Sequence, residues 1–258
     1  MGKRKGFTLI ELLVVISIIA LLMSILMPAL NRVKSQAKIV ACQGRQKQWS
    51  YIFTMYTNDN DGYFHDRPFG NEYEKMWPQF YQSYYSDPKM RCCPAAQNPD
   101  KNEGPFGTWG TKQYSDPGWG WGGTWVPEEG YYGSYGLSRY VLNKNEPEYW
   151  RKTNVKHADE VPIFVDCLYV ALNPTPNDSP PQIEGARSSS NHMQLACINR
   201  HVEHINGLFL DLSIRKIGLK ELWTLRWSKT FDTAGVWTVA GGAQREDWPL
   251  WMQNFKEY

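Results

Sequence analysis

The sequence predicts an α+β fold, and three features predict it. A long apolar segment near the N-terminus runs past Pro28 into an amphipathic one. A stretch over 58–135 follows that is dense in Tyr, Trp, Gly and Pro and has no sustained periodicity. Strand-like runs then close the chain, two of them separated by a short turn. The order long helix, irregular aromatic-rich loops and small antiparallel sheet is an α+β arrangement. At 258 residues the chain has room for one moderate globular domain and an appendage. A net charge of +2 with mixed signs leaves no footprint for nucleic acid.

The helix comes first. From Phe7 to Leu30 the only charged residue is Glu11. A bilayer core about 30 Å thick needs about 20 such residues, so the segment is long enough to span a membrane. Lys3, Arg4 and Lys5 precede it and, by the positive-inside rule, hold the N-terminus in the cytoplasm. The apolar run is too long for a secretory signal peptide and lacks the small residues of a cleavage site. Past Pro28, the residues Val33, Ala37, Val40, Ala41, Trp49, Ile52, Phe53 and Tyr56 fall roughly on one stripe among Arg, Lys and Gln. A helix from Phe7 to about Thr57 would be about 75 Å long at 1.5 Å per residue. Asn58-Asp59-Asn60-Asp61-Gly62 ends it by turn chemistry.

The 12 Trp, 15 Tyr, 21 Gly and 16 Pro describe a loop-rich body stabilised by large rings. The rings are expected to replace an aliphatic core, with short strands among the loops. Exposed Trp119, Trp121 and Trp125 would alternatively suit a glycan-binding face. Val161–Asp166, 207–211 and 213–218 read as strands, the last two as a hairpin. Lys220 to Trp227 reads as a short helix or closing arm.

Gly6-Phe7-Thr8-Leu9-Ile10-Glu11 after a basic leader resembles the class III signal of type IV pilins and type II secretion pseudopilins. The resemblance covers about the first 30 residues and implies a pilin-like fold. It implies that prepilin peptidase cuts between Gly6 and Phe7 and methylates the new amine. It also implies packing with other pilin or pseudopilin subunits on an inner-membrane assembly platform. The domains would then be a leader 1–6, an assembly helix 7–30, its amphipathic continuation 31–57 and an extracytoplasmic domain 58–258. The protein would cross the inner membrane once, with its domain periplasmic or extracellular. Glu11 lies four residues beyond Phe7, within reach of the amine that cleavage creates. A second resemblance covers most of the chain. His201, nine residues and Asp211, with the stretches SYGLSRY and QWSYIFTMYTNDNDGYF, are similar to the H-x9-D-G group of pilin-like proteins. Leu212 stands where Gly is usual, at a hairpin turn that would favour positive φ.

Little else points to chemistry. Asn58, Asp59 and Asp61 offer oxygen ligands to calcium, as a loop of major pseudopilins often does, but Pro68 falls where an EF-hand needs its bidentate Glu. A solvated turn that ends the helix is the preferred account of them, and no cofactor is expected. His192, Cys197, His201 and His204 form the densest cluster of transition-metal ligand types, without the paired spacing of a zinc site. His201 is expected to hydrogen-bond within the sheet, to Asp211 or a turn carbonyl. Five cysteines allow at most two bridges, and Cys42 with Cys92 or Cys93 would staple helix to domain. No nucleophile elbow, zinc-protease, phosphate-loop or dinucleotide motif occurs. A filament subunit without an active site is the simplest reading. A membrane-tethered polysaccharide-binding protein or remote hydrolase is the alternative.

Overall fold

A computed structural model describes residues 9–66, 77–96, 105–109, 132–186, 188 and 190–258. The processing pair Gly6 and Phe7 and the glycan candidates Trp119, Trp121 and Trp125 lie outside these residues. The chain divides into two compact units, residues 1–38 and 39–258. The long helix α1, Leu9–Asp59, contributes to both.

In the first unit α1 carries no charged residue from Leu12 to Leu30. Its leucines, isoleucines and valines from Leu9 to Leu30 are exposed, and none of its most apolar 18-residue window is buried. Length and composition suffice to cross a membrane. Ser17 and Ser24 donate back to the carbonyls of Val14 and Leu21, both at 2.7 Å, so their hydroxyls need no water. Pro28 lies inside the helix, where it cannot donate to the carbonyl of Ser24.

In the second unit the α+β expectation holds. A five-stranded sheet is built from β1 Tyr135–Ser138, β2 Pro162–Asp166, β3 Ala171–Leu172, β4 His204–Phe209 and β5 Ile214–Gly218. The spatial order is β3-β1-β2-β4-β5, antiparallel except where β1 meets β3. Central β2 is buried throughout because both faces are covered. Phe164 meets Trp49, Phe53 and Trp77, which fixes α1 and the short helix α2, Trp77–Phe80, on one face. Val165 faces a second cluster of Phe209, Ile217, Trp223, Trp227, Trp248 and Met252. Pro162 is tolerated as the first residue of β2, next to a register shift.

The aromatic core is as expected. Seven indole N–H groups among the described residues donate to main-chain carbonyls, including Trp49 to Met90 (2.7 Å) and Trp109 to Tyr135 (2.8 Å). A buried indole thereby fills volume and ties a loop to the core at once. The described part of the region before β1 holds helical turns and isolated bridges rather than the short strands expected there. The helix stripe also differs above Trp49. Val33, Ala37, Val40 and Ala41 are exposed, and the buried face is Ile39, Cys42, Gln46, Trp49, Ser50, Ile52, Phe53 and Thr57. Gln46 is buried because its amide donates to the Asn206 carbonyl (3.0 Å).

The helix extends to Asp59. The N–H groups of Asn60 and Gly62 then both donate to the Thr57 carbonyl, with Asp61 at φ +54° and Gly62 at +83°. At the β4–β5 turn the positive φ expected from the hairpin is present, and Leu212 adopts it at +67°. Its N–H donates to the Phe209 carbonyl (2.8 Å), and the Ser213 N–H is held by Asp211 (2.9 Å). A branched side chain in this region costs about 1–2 kcal/mol, against about 0.5–1 kcal/mol for the extra freedom of an unfolded glycine. Leu212→Gly should therefore raise stability by up to about 1 kcal/mol, read as a higher urea midpoint at unchanged slope. A lower midpoint would mean that Leu212 packs more than its half-exposed position suggests.

Candidate functional site

Glu11 lies in the first turn of α1 with its side chain exposed. Asp59 accepts a hydrogen bond from the Tyr84 hydroxyl (2.8 Å), and Asp61 belongs to the turn that closes α1. Of the transition-metal ligand types near one another in sequence, His192 and Cys197 have partners elsewhere, and His204 lies beside His201 with ring centroids 5.8 Å apart. His192 accepts from the Asn173 N–H, Cys197 lies against the Met252 sulfur, and the His204 ring meets the Val202 carbonyl. His201 does not pair with Asp211. It turns the other way, into the interior.

There it meets a buried polar cluster from four separate segments. Cys42 comes from α1, Cys93 from the turn after the short 3-10 helix Pro88–Arg91, Asp166 from the end of β2 and His201 from the loop before β4. One ligand atom from each lies within 4.8 Å of all the others. The His201 Nε2 is 3.1 Å from Asp166 Oδ2 and 3.3 Å from Cys93 Sγ. Cys42 Sγ is 3.7 Å from both Asp166 oxygens and 3.3 Å from the Tyr135 hydroxyl. None of the four is more than 2% exposed.

Local structure aims each group. Asp166 closes a strand whose neighbour β4 supplies the Asn206 N–H to Oδ2 at 2.9 Å. Arg200 donates to Asp166 Oδ1 (3.1 Å) and to the carbonyls of Ser134, Gly107 and Pro105. Cys93 donates its N–H to Ser134 Oγ (2.6 Å), and its sulfur accepts from the Ala95 N–H. The His201 loop is tight. Val202 and Glu203 take φ of +60° and +64°, and Asn199 Oδ1 accepts from the Glu203 N–H at 2.6 Å. Two consecutive non-glycine residues in this region cost about 1–3 kcal/mol each and persist only when their surroundings over-determine them.

The electrostatics follow from burial and pairing. Burial alone would raise the Asp166 carboxyl, yet His201, Arg200 and the Asn206 N–H hold it well below the usual range. Burial opposes charge on His201, but Asp166 and then Cys93 raise it to about 9. Burial also opposes a Cys93 thiolate, and the hydrogen bond from Cys42, with His201 and Arg200, lowers it to about 7. The Cys42 thiol is pushed up by burial first, then by Cys93 and Asp166. All five cysteines are free thiols, so no bridge of Cys42 to Cys92 or Cys93 is formed. Of the two, it is Cys93 that adjoins Cys42. Cys92 instead offers its carbonyl to Arg45.

No triad is formed. Cys93 and Asp166 approach the same ring nitrogen of His201, whereas a relay needs them on opposite nitrogens. The four groups converge on a point. Sequence reasoning missed Asp166 and Cys93 as partners of His201, because nothing local marks the last residue of an apolar strand as the centre of a polar site.

Arg200 and Asp166 have side chains with no exposure. Removing one member of such a pair strands the other and costs about 3–5 kcal/mol. Arg200→Met should lose that much in denaturant unfolding. Arg200→Lys should recover under half, since an ammonium cannot replace the planar fork across three carbonyls and a carboxylate. Unchanged midpoints in both would mean that the network does not contribute.

Comparison with known proteins places the N-terminus. Residues 1–27 match the family described as the prokaryotic N-terminal methylation motif. No curated protein and no solved structure matches the chain. The chain thus carries a prokaryotic N-terminal methylation motif at the head of a long apolar helix, followed by an α+β domain.

Proposed function

We propose that this protein is a structural subunit, a pseudopilin or minor pilin, of a type II secretion or type IV pilus-like filament, and is not an enzyme. The observation that carries this reading is the methylation motif in register with the apolar N-terminal segment of α1, which is exposed on every face. A large exposed apolar surface needs lipid or other copies of itself. In this reading prepilin peptidase cuts between Gly6 and Phe7 and methylates Phe7. The helix then anchors the protein once in the inner membrane, with the N-terminus cytoplasmic and the domain periplasmic or extracellular. From there an inner-membrane assembly platform moves it into a filament of pilin-like subunits. The role asks for no catalytic cofactor.

Glu11 acquires its purpose through cleavage. A carboxylate inside a bilayer costs on the order of 2.5–3.5 kcal/mol on insertion scales, so it needs a partner. An α-amine is largely protonated at neutral pH. The amine of Phe7, from the same chain or a neighbouring subunit, is a partner that exists only after processing. Pairing between subunits would fix their axial stagger.

Mass spectrometry of the membrane-extracted protein should find N-methyl-Phe7 as the first residue. An intact Met1, or a cut elsewhere, would overturn the assignment. Glu11→Ala should leave insertion and cleavage largely intact and abolish filament assembly, scored by electron microscopy. Normal filaments from that variant would remove the pairing argument.

A further inference from the structure

We propose that Cys42, Cys93, Asp166 and His201 together bind one zinc ion in a closed structural site that ties α1 to the sheet. The proposal does not depend on the filament role. Its first support is convergence. Four ligand atoms from four segments far apart in sequence lie within 4.8 Å of one another, and each residue supplies one.

The spacing suits the ion. Tetrahedral zinc with bonds of about 2.3 Å to sulfur, 2.0–2.1 Å to nitrogen and 2.0–2.2 Å to oxygen has ligand–ligand edges of about 3.3–3.8 Å. The edges Cys93–His201, His201–Asp166 and Cys42–Asp166 measure 3.3, 3.1 and 3.7 Å. With every pair within 4.8 Å, no edge has to contract by more than about 1 Å to close on the ion.

The donor set is chemically apt. Two sulfurs and an imidazole favour zinc over calcium or magnesium, which take oxygen. Two thiolates and one carboxylate balance the dication together with the charge of Arg200, so the buried site becomes neutral. The outer contacts hold the ligands as metal sites require: Arg200 and the Asn206 N–H on Asp166, the Ala95 N–H on Cys93, and the Tyr135 hydroxyl beside Cys42. Near-complete burial of all four leaves no open position for a substrate, which marks a structural rather than a catalytic site.

The same geometry defines the competitor. If Cys42 and Cys93 instead lose two protons and two electrons to an oxidant, they form a disulfide and two ligands vanish.

The test uses the full chain in detergent, purified without reductant and without added chelator. Elemental analysis should find about one zinc per chain. Replacing it with cobalt should give the intense visible bands of a tetrahedral thiolate complex. Zinc affinity should fall by more than the roughly 10–100-fold typical of losing an outer-shell partner in Cys42→Ser, Cys93→Ser and Asp166→Asn. Cys92→Ser should bind as the parent does. Should the cysteine variants fail to fold, the cobalt spectrum of the parent decides alone. A mass two hydrogens short with peptide mapping to Cys42–Cys93, or a reduced chain that gives no tetrahedral cobalt spectrum, overturns the proposal.

Discussion

The globular unit is organised around a carboxylate that has no access to water. Asp166 ends the central strand with no exposure, and an ion taken from water costs several kcal/mol unless its neighbours replace the solvent. Those neighbours come from everywhere: an arginine that also holds the carbonyls of 105, 107 and 134, a histidine on a strained loop, and an amide of the adjoining strand. Each has to be in place for the others to be tolerable. The polar knot therefore specifies which strand lies beside β2, how α1 is rotated and where the loop before β1 is pinned. Apolar packing alone would leave these matters looser.

Around that knot the protein uses rings where most domains use branched aliphatic residues. Trp49, Phe53, Trp77, Tyr81 and Phe164 contact one another at centroid separations of 5.0–6.4 Å, largely edge to face or tilted. A Trp core suits a chain short of regular elements, because each indole contributes a donor that an irregular backbone can use. The second face follows the same rule, with Trp223 and Trp227 donating to the carbonyls of Asp178 and Leu222.

Much of this was legible in the sequence, and the failures are instructive. The N-terminal segment was readable because its code is linear: basic leader, Gly, Phe and Glu at fixed offsets. Strand β2 and a hairpin over 207–218 were readable from local apolar patterning and a turn, although β4 begins earlier, at His204. The helix stripe went wrong at Val33, Ala37, Val40 and Ala41 because the inner face there carries Cys42 and Gln46. A hydrophobicity pattern does not count a thiol and an amide whose partners lie across the fold. The site failed for the same reason. Spacing singled out His192 and Cys197, whose partners lie elsewhere, and His204, which lies beside His201 without joining the cluster. The groups that meet His201 are 35 and 108 positions away.

The distribution of those four segments along the chain has a kinetic side. Cys42 emerges early in synthesis and His201 comes 159 residues later. At about 5–20 residues per second, the inner face of α1 waits roughly 10–30 s for its last partner. Contacts of such long sequence separation form slowly, because a large loop has to close first. A helix nucleated by local contacts has that interval to form while the remainder is still an open chain. The late arrival of residues 199–206 thus separates the two ends of α1 in time: the apolar end is complete long before the protein interior that covers the other end can exist.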